Sequence, residues 1–262
     1  MINKDLCDVK QIDEWSRQFN KAQPFRFLVI DNFLDRTLAQ SLSKEFPSLE
    51  YMNVNYKGIN EKKSEHSSFE NLHPVFTNFK NAVTRKEISS TIENITQIDK
   101  LETIEDRYGF GLHKGGPRSF LDIHVDYNLH PIRKKQRRLN LIIFLNTDWK
   151  QEWSGALEFW NRDVTVCMQS ISPFFNRCVL FECNEYSYHG YSKINCPETI
   201  TRKSFYLYYF SNPEQPMIFH DTIFKNKPSE PLSKRFVVSL KEATKNFIKR
   251  ILYYSGLSRF LK

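Results

Sequence analysis

The sequence predicts an α+β protein with a mainly β core, an antiparallel sandwich or barrel with helices before and after it. Three observations point there. Between residues 108 and 212, short apolar and aromatic runs follow one another with turn signals and no helical spacing between them. Before 108 the apolar residues recur every three to four positions. From about 234 that helical spacing returns, now interleaved with Lys and Arg. The chain has 262 residues, enough for one large domain or two small ones. Apolar residues make up 40% and charged ones 26%, a globular balance rather than a disordered one. The 22 Phe and 12 Tyr suit strands.

Taken in order, residues 1–22 read as a short polar helix around Leu6, Val9, Ile12, Trp15 and Phe19. Phe25 to Ile30 reads as a strand closed by Asp31-Asn32. Asp35 suits an N-cap, and Leu38, Leu42 and Phe46 line a helix that stops before Pro47. Residues 51–72 are mixed and polar and read as a loop, and 75–104 read as helical. His113-Lys-Gly-Gly-Pro117 is a turn signal. Strands follow at 120–127, 139–146, 156–160, 164–171, 178–183 and 204–210, and Arg133 to Arg138 reads as a basic connection. The chain divides into a supporting N-terminal part (1–107), a β core (108–212) and a C-terminal extension (213–262), expected to form one structural domain.

The formal charge of +8 is unevenly placed. Residues 234–262 hold eight bases against the single Glu242, so the rest of the chain is near neutral. A uniformly basic nucleic-acid coat is therefore excluded. No apolar run approaches the ~20 residues that span a bilayer, and Met1 to Lys10 lacks the apolar stretch of a secretory signal. The 5 cysteines are odd in number and none are spaced C-x-x-C. That suits free thiols in a cytoplasmic, reducing setting and argues against structural zinc.

The chemistry concentrates in Leu121-Asp-Ile-His-Val-Asp-Tyr127. His124 and Asp126 are two apart, so a strand places both on one face. An imidazole and a carboxylate inside a β core are costly unless something uses them. A second histidine, His189, follows in Tyr186-Ser-Tyr-His-Gly-Tyr191. Two histidines and one carboxylate form the facial triad of non-haem iron(II) oxygenases, which leaves coordination positions open. Alone, H-x-D is a three-letter coincidence. It gains weight from Arg202 and Ser204, also i, i+2, where a planar guanidinium beside a hydroxyl matches a carboxylate.

With these strings in hand, the region 108–212 resembles the iron(II)- and 2-oxoglutarate-dependent dioxygenase superfamily, in its prolyl 4-hydroxylase-like branch. The resemblance rests on His124-Val-Asp126, Arg138-Leu-Asn-Leu-Ile-Ile-Phe-Leu-Asn146, Ser154-Gly-Ala-Leu-Glu-Phe-Trp160, Asn176-Arg-Cys-Val-Leu-Phe181, His189-Gly190 and Arg202-Lys-Ser204. Phe27 to Leu34 extends it toward the N-terminus. It implies a double-stranded β-helix, or jelly roll, with the N-terminal helices packed on one side. It also implies that His124, Asp126 and His189 ligate iron(II), and that Arg202, helped by Ser204, grips the far carboxylate of 2-oxoglutarate. O2 is the oxidant, with ascorbate as a candidate auxiliary reductant. The implied reaction hydroxylates an unactivated C–H bond while 2-oxoglutarate becomes succinate and CO2. The retained Asp126 favours hydroxylation over halogenation. Phe144 stands where relatives can carry a co-substrate-binding tyrosine, a departure from the pattern.

Other residues carry open alternatives. Asn140 alternates with Ile142 and Phe144, and either points toward the co-substrate or satisfies a core hydrogen bond. Tyr127 and Asn128, just past the ligands, and Arg137, in the basic run 133–138, are candidate substrate contacts. His66, His73, His113, His130 and His220 read as structural or surface residues. The basic C-terminal helix either packs its apolar stripe on the body, lies on an anionic membrane surface, or touches nucleic acid, the least favoured partner. Three functions follow: hydroxylation of a prolyl residue in a polypeptide, hydroxylation of an anionic small molecule or a surface or lipid-linked saccharide, or a non-catalytic jelly-roll binding module with a peripheral-membrane tail.

Overall fold

In the computed structural model, residues 8–257 are described, which leaves Cys7, Leu6, Arg259 and Lys262 outside. Asp8 caps the first helix, α1 (Val9–Lys21), and Asp35 caps α2 (Arg36–Lys44) by accepting from the amides of Thr37 and Leu38. Strand β1 (Phe27–Ile30) lies between them. The segment read as a loop contains a hairpin, β2 (Val54–Lys57) and β3 (Glu61–His66). Charged side chains line it, so apolar patterning gives no signal. Helices α3 (Pro74–Val83) and α4 (Lys86–Thr96) and the short β4 (Glu102–Thr103) lead into the core.

The core strands are β5 (Phe110–Gly115), β6 (Phe120–Val125), β7 (Gln136–Phe144), β8 (Leu157–Trp160), β9 (Cys167–Ile171), β10 (Arg177–Glu182), β11 (His189–Tyr191) and β12 (Arg202–Ser211). The short β13 (Ile223–Phe224) and the helix α5 (Leu232–Tyr254) close the described chain. The region read as helical to 104 ends its helices at Thr96 and adds β4, the strand read from 164 begins at Cys167, and two further boundaries differ close to the site. His113 to Gly115 belong to β5, and the turn comes after them, where Ser119 N–H donates to Gly116 C=O. Gln136 to Arg138 begin β7 rather than connecting to it.

The strands pair antiparallel in the order β1-β10-β7-β12-β5-β3-β6-β11-β8-β9, the curved sheet of a jelly roll. Alternation sorts its two faces. Leu139, Leu141 and Ile143 of β7, with Phe205, Leu207 and Tyr209 of β12, face outward onto α1–α4. There they meet Phe19, Leu42, Phe79 and Ile95. Each such side chain contributes about 1.5–3 kcal/mol on burial, so the helices act as a fixed outer layer. The opposite face carries Phe144, Phe159, Val179 and Phe181, and on β12 Arg202, Ser204, Tyr206 and Tyr208.

One irregularity changes what faces inward. Tyr209 pairs with Leu139, but Phe210 pairs with Arg137, so Arg138 is an extra residue on β7. The bulge puts Arg137 on the interior face with Asn140, where plain alternation would place Arg138. Arg138 instead reaches Ser211 and Glu214.

Of the three readings left open for the basic helix, an apolar stripe packed on the body is not what α5 shows. Phe236, Leu240, Phe247 and Ile251 are exposed, and only Val238, Glu242 and Tyr253 are buried. No helix among the described residues is long and apolar enough to cross a membrane.

Candidate metal and co-substrate site

The register of β6 against β11 sets His124 directly opposite His189, with ring centroids 4.3 Å apart. Gly190 makes that approach feasible. A Cβ there would stand 2.6 Å from the Leu121 carbonyl and 2.9 Å from that of Asp122, so only glycine lets β11 lie this close to β6. Asp126 follows the end of β6 on the same face as His124. One ligand atom from each of His124, Asp126 and His189 lies within 4.8 Å of the others, the spacing of a metal site.

The second ring nitrogens fix the tautomers. His124 Nδ1 is 2.9 Å from the Asp122 carbonyl and His189 Nδ1 is 2.9 Å from the Ser187 carbonyl. A carbonyl only accepts, so each Nδ1 carries the proton and each Nε2 presents a lone pair. Those Nε2 atoms lie 3.6 and 3.8 Å from the Asp126 carboxylate. Burial, then the charge of neighbouring His124, pushes His189 down to about 4, which keeps it neutral near pH 7. Burial would raise the Asp126 carboxyl, but Arg137 and the two imidazoles hold it well below the usual carboxylate range. Phe224 covers His124 and Phe181 covers His189, an apolar shell on both sides.

Arg137 packs behind Asp126. Its Nη1 is 2.8 Å from Asp126 Oδ2, and its guanidinium lies between the rings of Tyr127 and Tyr208, at 3.4 and 3.7 Å. The distance is that of an ion pair, but none of its N–H groups makes an aligned hydrogen bond. Charge and two ring faces hold it, not a hydrogen-bonded fork. Asn140 also reaches the carboxylate, its Nδ2 donating to Oδ2 at 3.3 Å, while its own Oδ1 is buried without a partner. So Asn140 sits at the metal end, not the co-substrate end.

Arg202 marks the other end. It is buried, its Nε donates to the Gly155 carbonyl at 2.8 Å, and its charge lies over the rings of Tyr191 (4.3 Å) and Phe144 (4.8 Å). Gly155 can offer that carbonyl because it adopts φ +73° with Ile194 against it. Burial lowers Arg202 to about 10, partly offset by Tyr191, so it stays cationic at neutral pH. No carboxylate among the described residues pairs with it. A buried guanidinium in that state calls for an external anion, and Ser204 lies beside it on the same face of β12. The donor set therefore fits iron(II) at one end and a dicarboxylate's far end at the other.

The remaining predicted residues go elsewhere. Tyr127 donates its hydroxyl to the Tyr108 carbonyl at 2.6 Å while lining the cleft. Asn128 is spent on structure, donating to the Ile218 carbonyl and accepting from His220 N–H. The basic run disperses: Lys134 lies over Tyr253, Lys135 pairs with Glu102 and Arg137 turns inward. His113 is neither surface nor purely structural: it lines the cleft, stacked on Tyr206 at 4.4 Å.

A cleft of about 740 Å³ opens over this site. Its far wall comes from the hairpin, with Tyr56, Lys63 and Glu65, and from α5, with Lys241, Lys245 and Lys249. Tyr206 donates to Glu65 at 2.7 Å. These residues lie in segments read as a loop and as a separate tail. Only the polar alternation Lys63, Glu65 hinted at a strand, and nothing in the sequence ties either segment to the site.

Residues 110–210 match the family model described as the 2OG-Fe(II) oxygenase superfamily. No curated protein matches the sequence. Among solved structures, a prolyl-4-hydroxylase from Pseudomonas putida is similar with TM-score 0.55 and 14% identity, over 76% of this chain and 99% of that one. A prolyl hydroxylase from Trichoplax adhaerens, solved with a hypoxia inducible factor peptide fragment, gives 0.54 and 17%, over 80% and 96%. A prolyl 4-hydroxylase from Phytophthora capsici gives 0.53 and 16%, over 97% and 82%. At these identities the likeness is one of fold.

Proposed function

From the premise that this chain belongs to the 2OG-Fe(II) oxygenase superfamily and is a dioxygenase that needs iron(II), 2-oxoglutarate and O2, we propose that it hydroxylates an unactivated C–H bond of a polar substrate held in the cleft between the hairpin and α5. The observation that carries this reading is the pairing of two ends: three converging ligand groups at His124, Asp126 and His189, and an unpaired buried cation at Arg202. With iron(II) bound, the site supplies the oxidative decarboxylation of 2-oxoglutarate to succinate and CO2 that drives hydroxylation.

Each residue has a stated part. The Nε2 atoms of His124 and His189 and the Asp126 carboxylate hold the metal. Arg137 and Asn140 fix the rotamer of Asp126 from behind, as positioning residues. Arg202 and Ser204 bind the far carboxylate of 2-oxoglutarate. Tyr191, stacked on Arg202, offers the phenol that position 144 lacks. Phe181 and Phe224 keep bulk water from the ligands. Tyr56, Tyr206, Tyr127 and the charged Lys63 and Glu65 present rings and hydrogen-bonding groups to substrate. That lining suits a peptide carrying a prolyl residue or a saccharide, and both belong in the assay.

The test is iron-dependent succinate formation with peptide and anionic saccharide panels, read by mass spectrometry for a one-oxygen gain. His124→Ala should abolish the iron-dependent spectroscopic change on adding 2-oxoglutarate. If the wild type with iron(II) shows no such change, the oxygenase reading fails.

A further inference from the structure

We propose that α5 is an interfacial helix that seats this side of the protein, with the cleft mouth it walls, on an anionic membrane surface. An ordinary surface helix turns its apolar stripe to the body and its charges to water. Here the arrangement is reversed. Leu232, Phe236, Leu240, Phe247, Ile251 and Tyr254 are each at least 53% exposed. Their spacing of three, four and seven places them along one stripe of a helix about 34 Å long.

The opposite side is committed to the body through its charges. Lys234 pairs with Asp122 at 2.9 Å and Lys249 with Asp221 at 3.0 Å. Lys245 reaches Glu242 at 2.7 Å and the Thr222 carbonyl at 2.6 Å. These contacts, with buried Val238 and Tyr253, fix which way the helix faces. A continuous apolar stripe of this size left in water marks an interaction surface.

Charge identifies the occupant. Exposed Arg235, Lys241 and Arg250 border the stripe, and the only acid on the helix, Glu242, is buried. A second copy docked on this stripe would set these cations against their own kind. An anionic lipid surface pairs with them while its acyl region takes the aromatic and aliphatic side chains. The helix is too interrupted by charge to span a bilayer, so it lies on the surface. Lys241, Lys245 and Lys249 also line the cleft, so such seating brings the active-site mouth to the lipid.

Flotation of the full chain with phosphatidylcholine vesicles, with and without phosphatidylserine, tests this. The wild type should float with the anionic vesicles, and less so as salt rises. The double variant Phe247→Glu, Ile251→Glu should partition at least about tenfold more weakly. Arg235→Gln with Arg250→Gln should weaken flotation only where phosphatidylserine is present. Iron-dependent 2-oxoglutarate binding reports that the variants are folded, because neither pair touches that site. Flotation with failed 2-oxoglutarate binding would sink the oxygenase reading and leave the membrane seat standing. Equal flotation of wild type and the Glu variant, or no flotation at all, overturns the proposal. So does a concentration-dependent dimer that the Glu variant abolishes without vesicles, which assigns the stripe to a second copy.

Discussion

In the β core the charged groups lie inside and apolar strand faces seal them, whereas along α5 the charges grip the body and the apolar side chains face out. His124, Asp126, His189 and Arg202 are set by strand register and by close approach at Gly190 and Gly155. Their positions are fixed by backbone pairing and dense packing before any ligand arrives. The α5 contacts are ion pairs at a rim, where water competes and each pair contributes little. The first region is built to hold geometry, and the second to be displaced by changes in its surroundings. Perturbing both should separate them.

The largest effect is expected at Asp126. Asp126→Ala removes one of three ligand groups and strands the buried Arg137 without its counter-charge. Loss of a metal ligand should reduce iron-dependent turnover by about 10³-fold or more. The stranded guanidinium should cost a further 3–5 kcal/mol or so of stability. Iron titration and urea unfolding measure the two separately. A variant that keeps both wild-type metal affinity and stability would dissolve the picture of a pre-set site.

Next is the other end of the same face. Arg202→Gln removes a buried cation whose partner is the co-substrate. Two charge-assisted hydrogen bonds at roughly 1.5–3 kcal/mol each make a loss of about 10²- to 10⁴-fold in 2-oxoglutarate affinity the expected outcome. Metal affinity should stay within a factor of a few, because Arg202 does not touch the ligands. Equal loss of both would mean that the two ends are one mechanical unit.

Glu65 tests the border between the regions. Burial opposes its ionisation, yet His113 and Lys63, with the Tyr206 hydroxyl, hold its carboxyl down to about 2 from an ordinary 4.5. The folded value is depressed, so the stabilisation is present above about pH 4.5, weakens once His113 loses its proton, and drains away as pH falls toward 2. Burial also pushes the His113 imidazole down, so at neutral pH Lys63 and the Tyr206 hydroxyl are what hold the carboxylate. Glu65→Gln should lose about 1 kcal/mol there and flatten the acid limb of the stability profile, where His113 is charged. An unchanged limb would place the acid sensitivity elsewhere.

The site's own strands were legible because alternation is a local rule. His124 with Asp126 and Arg202 with Ser204 share faces by being two apart, and the structure keeps both relations. Arg137 was legible as basic but not as interior, because one inserted residue at Arg138 reverses the parity. The hairpin was hard to read because Tyr56 meets Lys63 and Glu65 across its own two strands, and such polar pairing leaves no apolar periodicity. For α5, periodicity gave the stripe but not its direction. Which face turns inward depended on Asp122 and Asp221, residues outside the helix that sequence periodicity does not connect to it.

The smallest effect is also the most discriminating. Lys249→Ala removes one α5 ion pair, to Asp221 at 3.0 Å, and should cost about 1 kcal/mol or less. Adding salt should reproduce that loss in the wild type, because the Debye length shrinks to about 3 Å at 1 M. Hydrogen exchange resolves where it falls. Amides of α5 should exchange faster in the variant and in salt, while those of β7 and β12, paired on both sides within the core, should not respond. If β12 loosens together with α5, the helix is part of the core after all. The outward setting of its apolar stripe would then rest on core packing rather than on ion pairs at the rim.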